Sequence, residues 1–340
     1  PLHDDLAVLL TTSGSTGSPK FVRLSYSNLK ANADSIAKYL GIKGLDRPVT
    51  TLPMSYSYGL SIINSHLIKG ATVLLTAKSV MERAFWDFVK DQRATSLSGV
   101  PYTYEMLMKL HFFKMDLPHL ETLTQAGGKM HNELSEKFSN FCRDNGKRIF
   151  FMYGQTEATA RMSYLPPNNS ISKLGSIGIA IPGGEFSLID DLGKVVNQSN
   201  ESGELVYKGK NVCMGYASGA QDLIKGDENQ GVLMTGDLAV RDDAGFYYIT
   251  GRKNRFIKLY GNRVNLDEAE YLIKNITHDV ACVGSDDKMI IFIIDESMVS
   301  KVRSFIATKT GINFRAFEVR VIDEIPKSSS GKLIYRDLQT

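Results

Sequence analysis

Thr12-Ser-Gly-Ser-Thr-Gly-Ser-Pro-Lys20 gathers hydroxyls, glycines and a lysine between two apolar, strand-like segments. Glycine lets the backbone approach a ligand and present its N–H groups. Ser and Thr hydroxyls add further donors, and Lys20 adds positive charge. Such a loop suits a phosphate chain. It is not a Walker A loop, because Gly14 to Lys20 lacks the Gly-Lys-Ser/Thr ending and a strand follows where a helix is required. Standing alone, it reads equally well as a Ser/Gly turn.

Other groups of the same chemical kind recur along the chain. Tyr153-Gly-Gln-Thr-Glu157 follows a buried apolar run, which is where α/β sheets place their ligand sites. There Tyr153 can stack on a base, Thr156 can donate to a phosphate, and Glu157 can hold Mg²⁺. Thr235-Gly-Asp237 offers a carboxylate suited to a ribose diol. Gly251-Arg-Lys-Asn-Arg-Phe-Ile-Lys258 and Tyr260-Gly261 fall at the expected domain junction. Pro326-Lys-Ser-Ser-Ser-Gly-Lys332 ends on a second glycine-flanked lysine. Taken singly, Lys253, Arg255 and Lys258 read as a solvated basic face. His3, His66, His111, His119, His131 and His278 lack ligand spacing and read as structural or surface residues.

The elements that must carry these groups alternate along the chain. Ala7–Thr12 reads as a buried strand and Phe21–Leu24 as another. Ser27 is the expected cap of a helix presenting Leu29, Ala33, Ile36 and Leu40. Further strands are expected at Thr72–Leu75, Ser96–Gly99, Thr122–Gln125 and Arg148–Met152. Helices carry Phe85, Trp86 and Val89, then Tyr104, Leu107 and Met108, then Asn132 to Asp144. Strands spaced by helices imply βαβ units and a mostly parallel sheet. After Pro166 the texture shifts to short strands with Gly, Asn and Asp turns, the mark of a small antiparallel subdomain. From Arg252 onward a compact α+β module is expected, helical at Glu268–Lys274 and Lys301–Thr308, with strands at Met289–Ile294 and Glu318–Ile322. The fold class is therefore α/β, with a large domain over 1–252 and a C-terminal domain over 253–340, which the family resemblance described below implies is mobile.

Composition sets the outer bounds. A chain of 340 residues has the length of roughly two domains. With 43% hydrophobic and 23% charged residues it reads as globular, which excludes disordered, collagen-like and coiled-coil classes. Lys+Arg 40 against Asp+Glu 37 gives +3, too little to argue for a nucleic-acid partner. Cys142, Cys213 and Cys282 have neither metal nor redox spacing, and their odd count argues against a disulfide framework. Cys213 is expected on a strand, as a small core residue. A reducing, cytoplasmic setting follows, with no membrane span and no signal peptide expected.

The motifs, in this order, resemble those of the AMP-forming adenylating enzymes: acyl-CoA synthetases, adenylation domains and luciferases. The resemblance runs from about Leu9 to Leu338. It implies that Thr12, Ser13, Gly14, Ser15, Thr16, Gly17 and Lys20 wrap the ATP phosphates. It gives Tyr153, Gly154, Thr156 and Glu157 the adenine, α-phosphate and Mg²⁺, and Asp237 with Arg252 the ribose. Ala126-Gly127-Gly128 resembles the glycine pair lining the acyl and adenine site, and Tyr56, Tyr58 and Gly59 the aromatic segment that gates the acyl pocket. Lys332 matches the lysine that bridges carboxylate and α-phosphate, while Lys258 and Gly261 match positions used in thioester formation. Asn254 occupies the hinge. The implied activity is conversion of a carboxylic acid to acyl-AMP with release of pyrophosphate, then transfer to the thiol of CoA. A carrier-protein phosphopantetheine arm or amino-acid adenylation is the alternative within that chemistry; a catalytically silent acyl-adenylate-binding module is the alternative outside it.

The sequence departs from the family in three places. The chain starts just ahead of the phosphate loop, so the family's front stretch is expected to be absent, excluded, or supplied by another chain. Asn254 replaces the usual Asp or Lys of the hinge, and Asn tolerates unusual backbone dihedrals. The terminal module is compact, which bears on how a thiol enters. The segment Met54-Ser-Tyr-Ser-Tyr58 lacks the Asp that pairs an amino acid's ammonium, which favours an acid without an α-amine.

Overall fold

The computed structural model describes residues 2–11, 20–253, 255–285, 287–327 and 333–338, with Arg263 described by its backbone alone. β1 (Leu6–Thr11) pairs antiparallel with β2 (Phe21–Ser25). The expectation of a buried first strand is corrected: β1 is largely half-exposed, because it forms the edge of a small sheet and pairs on one side only. Helix α1 (Tyr26–Leu40) follows directly. Its cap is Ser25, not Ser27. Ser25 Oγ accepts from the Asn28 N–H at 3.0 Å and Asn28 Oδ1 accepts from the Ser25 N–H at 2.9 Å. That reciprocal capping box satisfies two donors at once, which a cap at Ser27 would leave open.

The central sheet runs in the order β3 (Pro48–Val49), β4 (Ser96–Gly99), β5 (Thr122–Gln125), β6 (Arg148–Tyr153), β7 (Ser163–Leu165), β8 (Ile179–Ala180). It is parallel through β6 and antiparallel beyond it. The crossovers carry α2 (Ser57–Leu67), α3 (Arg83–Asp91), α4 (Pro101–Lys109) and α5 (Asn132–Asp144). Thr72–Leu75 is not a strand of its own. Its Leu74 bridges Val49, and β3 is too short to hold a longer ladder.

The side-chain period of two divides this sheet into unlike faces. Leu97, Leu123, Ile149 and Phe151 enter an apolar cluster with Phe85, Leu107, Phe112 and Phe138. On the opposite face Phe150 and Met152 join Ile36, Tyr58 and Ile62 of α1 and α2. Ser98 and Thr124 are also buried, and Thr124 Oγ1 donates to Ser98 Oγ at 2.8 Å.

Beyond the sheet, β9 (Gly184–Ile189), β10 (Gly203–Gly209), β12 (Val232–Arg241) and β13 (Tyr247–Arg252) form an antiparallel sheet in the order β13-β12-β10-β9. Its core holds Phe186, Leu188, Leu205, Tyr207 and Tyr247. Between β10 and β12, β11 (Gly215–Ala217) returns to pair with β2. Cys213 lies in the bend before β11 and not on a strand, although it is fully buried as expected.

The remaining chain forms the hairpin β14 (Phe256–Leu259) and β15 (Asn262–Asn265), then α6 (Leu266–Ile273), β16 (Val280–Ser285), β17 (Lys288–Ile293), α7 (Val299–Thr310) and β18 (Phe317–Val321). Ile257, Ile273, Cys282, Ile291, Val302 and Phe317 make its core. Among the described residues, no apolar cluster has members on both sides of residue 254. The cysteines are buried and free, and among the described residues no helix is long and apolar enough to cross a membrane.

Phe138 is the tightest test of this packing. It is 0% exposed and meets Tyr104 edge-on at 4.8 Å and Phe113 at 4.9 Å. Phe138→Ala is expected to cost about 3–5 kcal/mol of stability, read as a lowered urea midpoint at unchanged slope.

Candidate active site

Asp237 lies directly across β12 and β13 from Arg252, and its side chain is almost wholly buried. A carboxylate in that setting needs donors. Oδ1 pairs with Arg252 Nε at 3.2 Å. Oδ2 accepts from the Tyr153 hydroxyl at 2.5 Å and from Gln155 Nε2 at 2.9 Å. Burial, and then the neighbouring carboxylate, push the Tyr153 phenol well above its ordinary range, so it stays protonated and donates. Gln155 also donates to the Thr235 carbonyl at 2.9 Å, which fixes its amide. The end of the parallel sheet is thereby joined to the antiparallel one around one carboxylate.

The turn after Tyr153 is built on a close approach. A Cβ at Gly154 would lie 1.8 Å from the Ala160 carbonyl oxygen, so only glycine fits. Thr159 and Ala160 sit at φ 65° and 143°, conformations that L-residues rarely adopt. The Thr159 hydroxyl holds them by donating to the Asn211 carbonyl at 2.6 Å. Within the turn, Thr156 Oγ1 lies 3.2 Å from Ser57 Oγ at the start of α2. Glu157 Oε1 accepts from the Tyr216 hydroxyl at 2.9 Å, and Lys20 Nζ stands 5.9 Å from the centroid of that ring. Tyr216 thus connects Lys20 to Glu157.

The aromatic segment meets the glycine pair. Gly127 has φ +83°, and a Cβ there would lie 2.5 Å from the Tyr56 hydroxyl. Burial pushes the Tyr56 phenol up to about 12. Tyr58 packs edge-on to Tyr56 at 6.3 Å and its hydroxyl bonds Thr124. Gly59 lets α2 start against the Pro53 carbonyl, which a Cβ would meet at 2.2 Å. Gly128 packs beside Pro101.

The junction residues separate. Arg252 belongs to the Asp237 cluster. Lys258 and Gly261 stand on the β14–β15 hairpin, where Gly261 takes φ +83° in the tight turn. Thr12, Ser13, Gly14, Ser15, Thr16, Gly17, Asn254 and Lys332 lie outside the described residues. On either side of residue 254 the chain is anchored to different partners. Lys253 Nζ pairs with Glu204 of β10 at 2.7 Å, and Arg255 pairs with Asp267 and Glu270 of α6 at 2.6 Å each.

Sequence reasoning gave no role to Gln155 or Tyr216. Gln155 sits inside the Tyr153–Glu157 motif, where its position between two assigned residues was the available signal. Tyr216 is 59 positions from Glu157, and no local pattern marks it. A cavity of about 620 Å³ lies elsewhere, beside His3, Asn28, Lys208 and Asp227, and no predicted site residue lines it.

A family model described as AMP-binding enzyme matches residues 1–217. The chain belongs to that family. Similar proteins include peroxisomal OPC-8:0-CoA ligase 1 of Arabidopsis thaliana, 29% identical over 354 residues, with 99% of this chain and 64% of that protein covered. The 2-succinylbenzoate–CoA ligase of Oceanobacillus iheyensis is 26% identical over 349 residues, covering 98% of this chain and 70% of that protein. Among solved structures, o-succinylbenzoate CoA synthetase of Bacillus subtilis with its acyl-adenylate intermediate superposes at TM-score 0.83 with 26% identity, covering 100% of this chain and 70% of that one. The same enzyme with ATP and magnesium gives 0.82. The chain spans 64% and 61% of the lengths of the two Arabidopsis relatives it matches.

In this member of the AMP-binding family, no cluster of three His, Cys, Asp or Glu side chains that could hold a metal occurs among the described residues. Nucleotide-bound Mg²⁺ takes only one or two protein carboxylates, with phosphates and water completing its shell. The single Glu157 carboxylate fits that donor set. Gly154→Ala is expected to cost about 1–3 kcal/mol by overpacking the turn, measured by denaturant titration. Unchanged stability would show that the 154–160 turn can relax.

Proposed function

We propose that the chain activates a carboxylic acid with ATP, forming acyl-AMP and pyrophosphate, and passes the acyl group to the thiol of CoA. The observation that carries this reading is the buried Asp237 carboxylate, held by Tyr153, Gln155 and Arg252 in a chain of the AMP-binding family. A carboxylate has about four acceptor positions. The described donors use both on Oδ2 and one on Oδ1, which leaves a place on Oδ1 for a ribose hydroxyl.

In this scheme Lys20, Thr156 and the 12–17 loop bind the phosphates, and Gly127 and Gly128 flank adenine and the acyl group. Glu157 supplies the ligand for Mg²⁺, whose charge offsets the phosphate repulsion. A carboxylate oxygen of the substrate attacks the α-phosphorus, and the bond to pyrophosphate breaks. Lys332 neutralises charge between the reacting carboxylate and α-phosphate. The CoA thiolate then attacks the acyl carbon and AMP leaves, with Lys258 and Gly261 facing that step. Residues 1–252 serve as the ATP and acyl domain, and 253–340 as a mobile domain turning about Asn254. A carrier-protein phosphopantetheine arm is the alternative acceptor, and a further chain can supply the family's front stretch. Free, buried cysteines support a cytoplasmic setting.

Acid-dependent ATP–pyrophosphate exchange across a carboxylate panel tests this reading directly; no exchange with any acid would sink it. Lys332→Ala is expected to lower exchange by ~10²–10³ while nucleotide titration shows ATP affinity retained. Asn254→Pro, which fixes φ near −65°, is expected to impair thioester release more than exchange. Equal loss in both steps would remove residue 254 as the hinge.

A further inference from the structure

The face of the central sheet that meets α2 carries a run of buried polar groups that the fold alone does not require. Ser98 and Thr124 of β4 and β5 line it, with Ser61, Ser65 and His66 from α2. At its inner end stands Arg161, 2% exposed. Arg161 Nη1 donates to the Tyr39 hydroxyl at 3.2 Å, and its Cζ lies 4.9 Å from the Tyr58 ring centroid. Its Nε has no partner, and among the described residues no carboxylate stands within 4.0 Å of the guanidinium.

A guanidinium remains charged at any working pH, and burying it without an anion is costly. His66 cannot share that charge or supply the counter-ion. Burial pulls its imidazole down to about 4, and its Nδ1 is 2.8 Å from the Ile62 carbonyl. Arg161 and His66 line a cavity of about 20 Å³, room for a single water. Asp46 and Glu121 also border it, yet neither pairs with Arg161; Asp46 accepts instead from the Lys43 N–H at 2.9 Å.

The position of Arg161 relative to the reaction centre is fixed by ring contacts. The Tyr56 hydroxyl abuts Gly127, Tyr56 meets Tyr58, and Tyr58 meets Arg161. A substrate that enters past Tyr56 with its reacting carboxylate at the glycine pair therefore extends toward the guanidinium. Tyr39, Phe150, Met152 and Tyr164 fill the surrounding layer.

We infer that Arg161 is a specificity-determining residue and that the substrate is a short dicarboxylic acid whose distal carboxylate it pairs. The inference rests on the acid-activating reading above. It assigns the far end of the acyl pocket an anion-recognising role and excludes long apolar acids. The distal carboxylate would satisfy Nε, as a bidentate partner does for a guanidinium.

The test compares acids matched in length, succinate to suberate against butyrate to octanoate, and phthalate against benzoate. Two readouts are taken: ATP–pyrophosphate exchange, and thermal stabilisation of the full chain by each acid with and without ATP. The wild type is expected to prefer the dicarboxylate of at least one pair. Arg161→Met should lower its kcat/KM for that acid at least ~30-fold, mostly through KM, and change the matched monocarboxylate less than threefold. Equal or better use of the monocarboxylate by the wild type overturns the inference, and that comparison needs no variant to fold. Retained preference in Arg161→Met overturns it also. Stabilisation by a dicarboxylate that Arg161→Met abolishes, without exchange for any acid, keeps the anion subsite and sinks the ATP-dependent reading. No exchange and no stabilisation by any dicarboxylate overturns both.

Discussion

A carboxylate taken out of water must be given donors, and Asp237 receives them from two separate stretches of chain. Tyr153 and Gln155 come from the end of β6 and the turn after it, and Arg252 from the facing strand β13, while the Asp237 N–H donates to the Thr235 hydroxyl on its own strand at 3.1 Å. The parallel and antiparallel sheets are therefore registered by one buried group. The same strand reaches the junction, since the Lys253 N–H donates to the Gly236 carbonyl at 2.8 Å. Displacing Asp237 would disturb the candidate nucleotide site and the junction together. A polar residue that organises this much backbone also costs the most when one donor is removed.

The parts of this fold that could be read in advance are those whose periodicity is set by one neighbouring layer. β4, β5 and α5 fall at the expected residues because Leu97, Leu123, Phe138 and Cys142 report a single apolar cluster. Helix α2 was legible only as an aromatic segment. Its buried face mixes Tyr58 and Ile62 with Ser61, Ser65 and His66, so its apolar period is weak. The alternation Ser96-Leu-Ser98 and Thr122-Leu-Thr124 announces strands, but not that the hydroxyl face is buried as well. Propensity cannot tell a polar face turned to solvent from one turned to a ligand.

The same limit governs the site. Residues with a chemical reason to be near phosphate or ribose stand out in sequence because glycine, hydroxyl and charge cluster there. Of these, Tyr153 and Asp237 meet in space, as do Gly127 and Tyr56. Arg161 gives no such signal: an arginine shortly after a site motif is expected on the surface. Only its burial, with an unpartnered nitrogen and no carboxylate at hand, distinguishes it. Gln155 and Tyr216 escaped notice because their partners lie 82 and 59 positions away, and Arg161 because what marks it is a missing partner, which a sequence does not display.

The ion pairs around residue 254 bear on which bonds a rotation there would break. Arg255 is held within the terminal module by Asp267 and Glu270, and the Tyr335 hydroxyl donates to Glu270 at 2.9 Å while its ring lies 3.7 Å from Arg255. Glu270 also accepts from the buried Cys282 N–H at 2.7 Å, so this network belongs to the core of that module. The ties back across the junction are of another kind. Asp267 accepts from the exposed Arg252 N–H at 3.1 Å, Asn265 donates to the Thr250 carbonyl at 3.0 Å, and Tyr271 meets Lys129 and His131 through ring contacts. Hydrogen bonds of this sort contribute about 0.5–1.5 kcal/mol net, and water can replace them. A buried charged network loses far more when a partner is withdrawn. A turn at residue 254 breaks the weak set and spares the strong one, whereas a turn beyond Arg255 would sever Arg255 from Asp267 and Glu270. The proposed turn at 254 would therefore cost less than one beyond Arg255, since it leaves the Arg255 network whole.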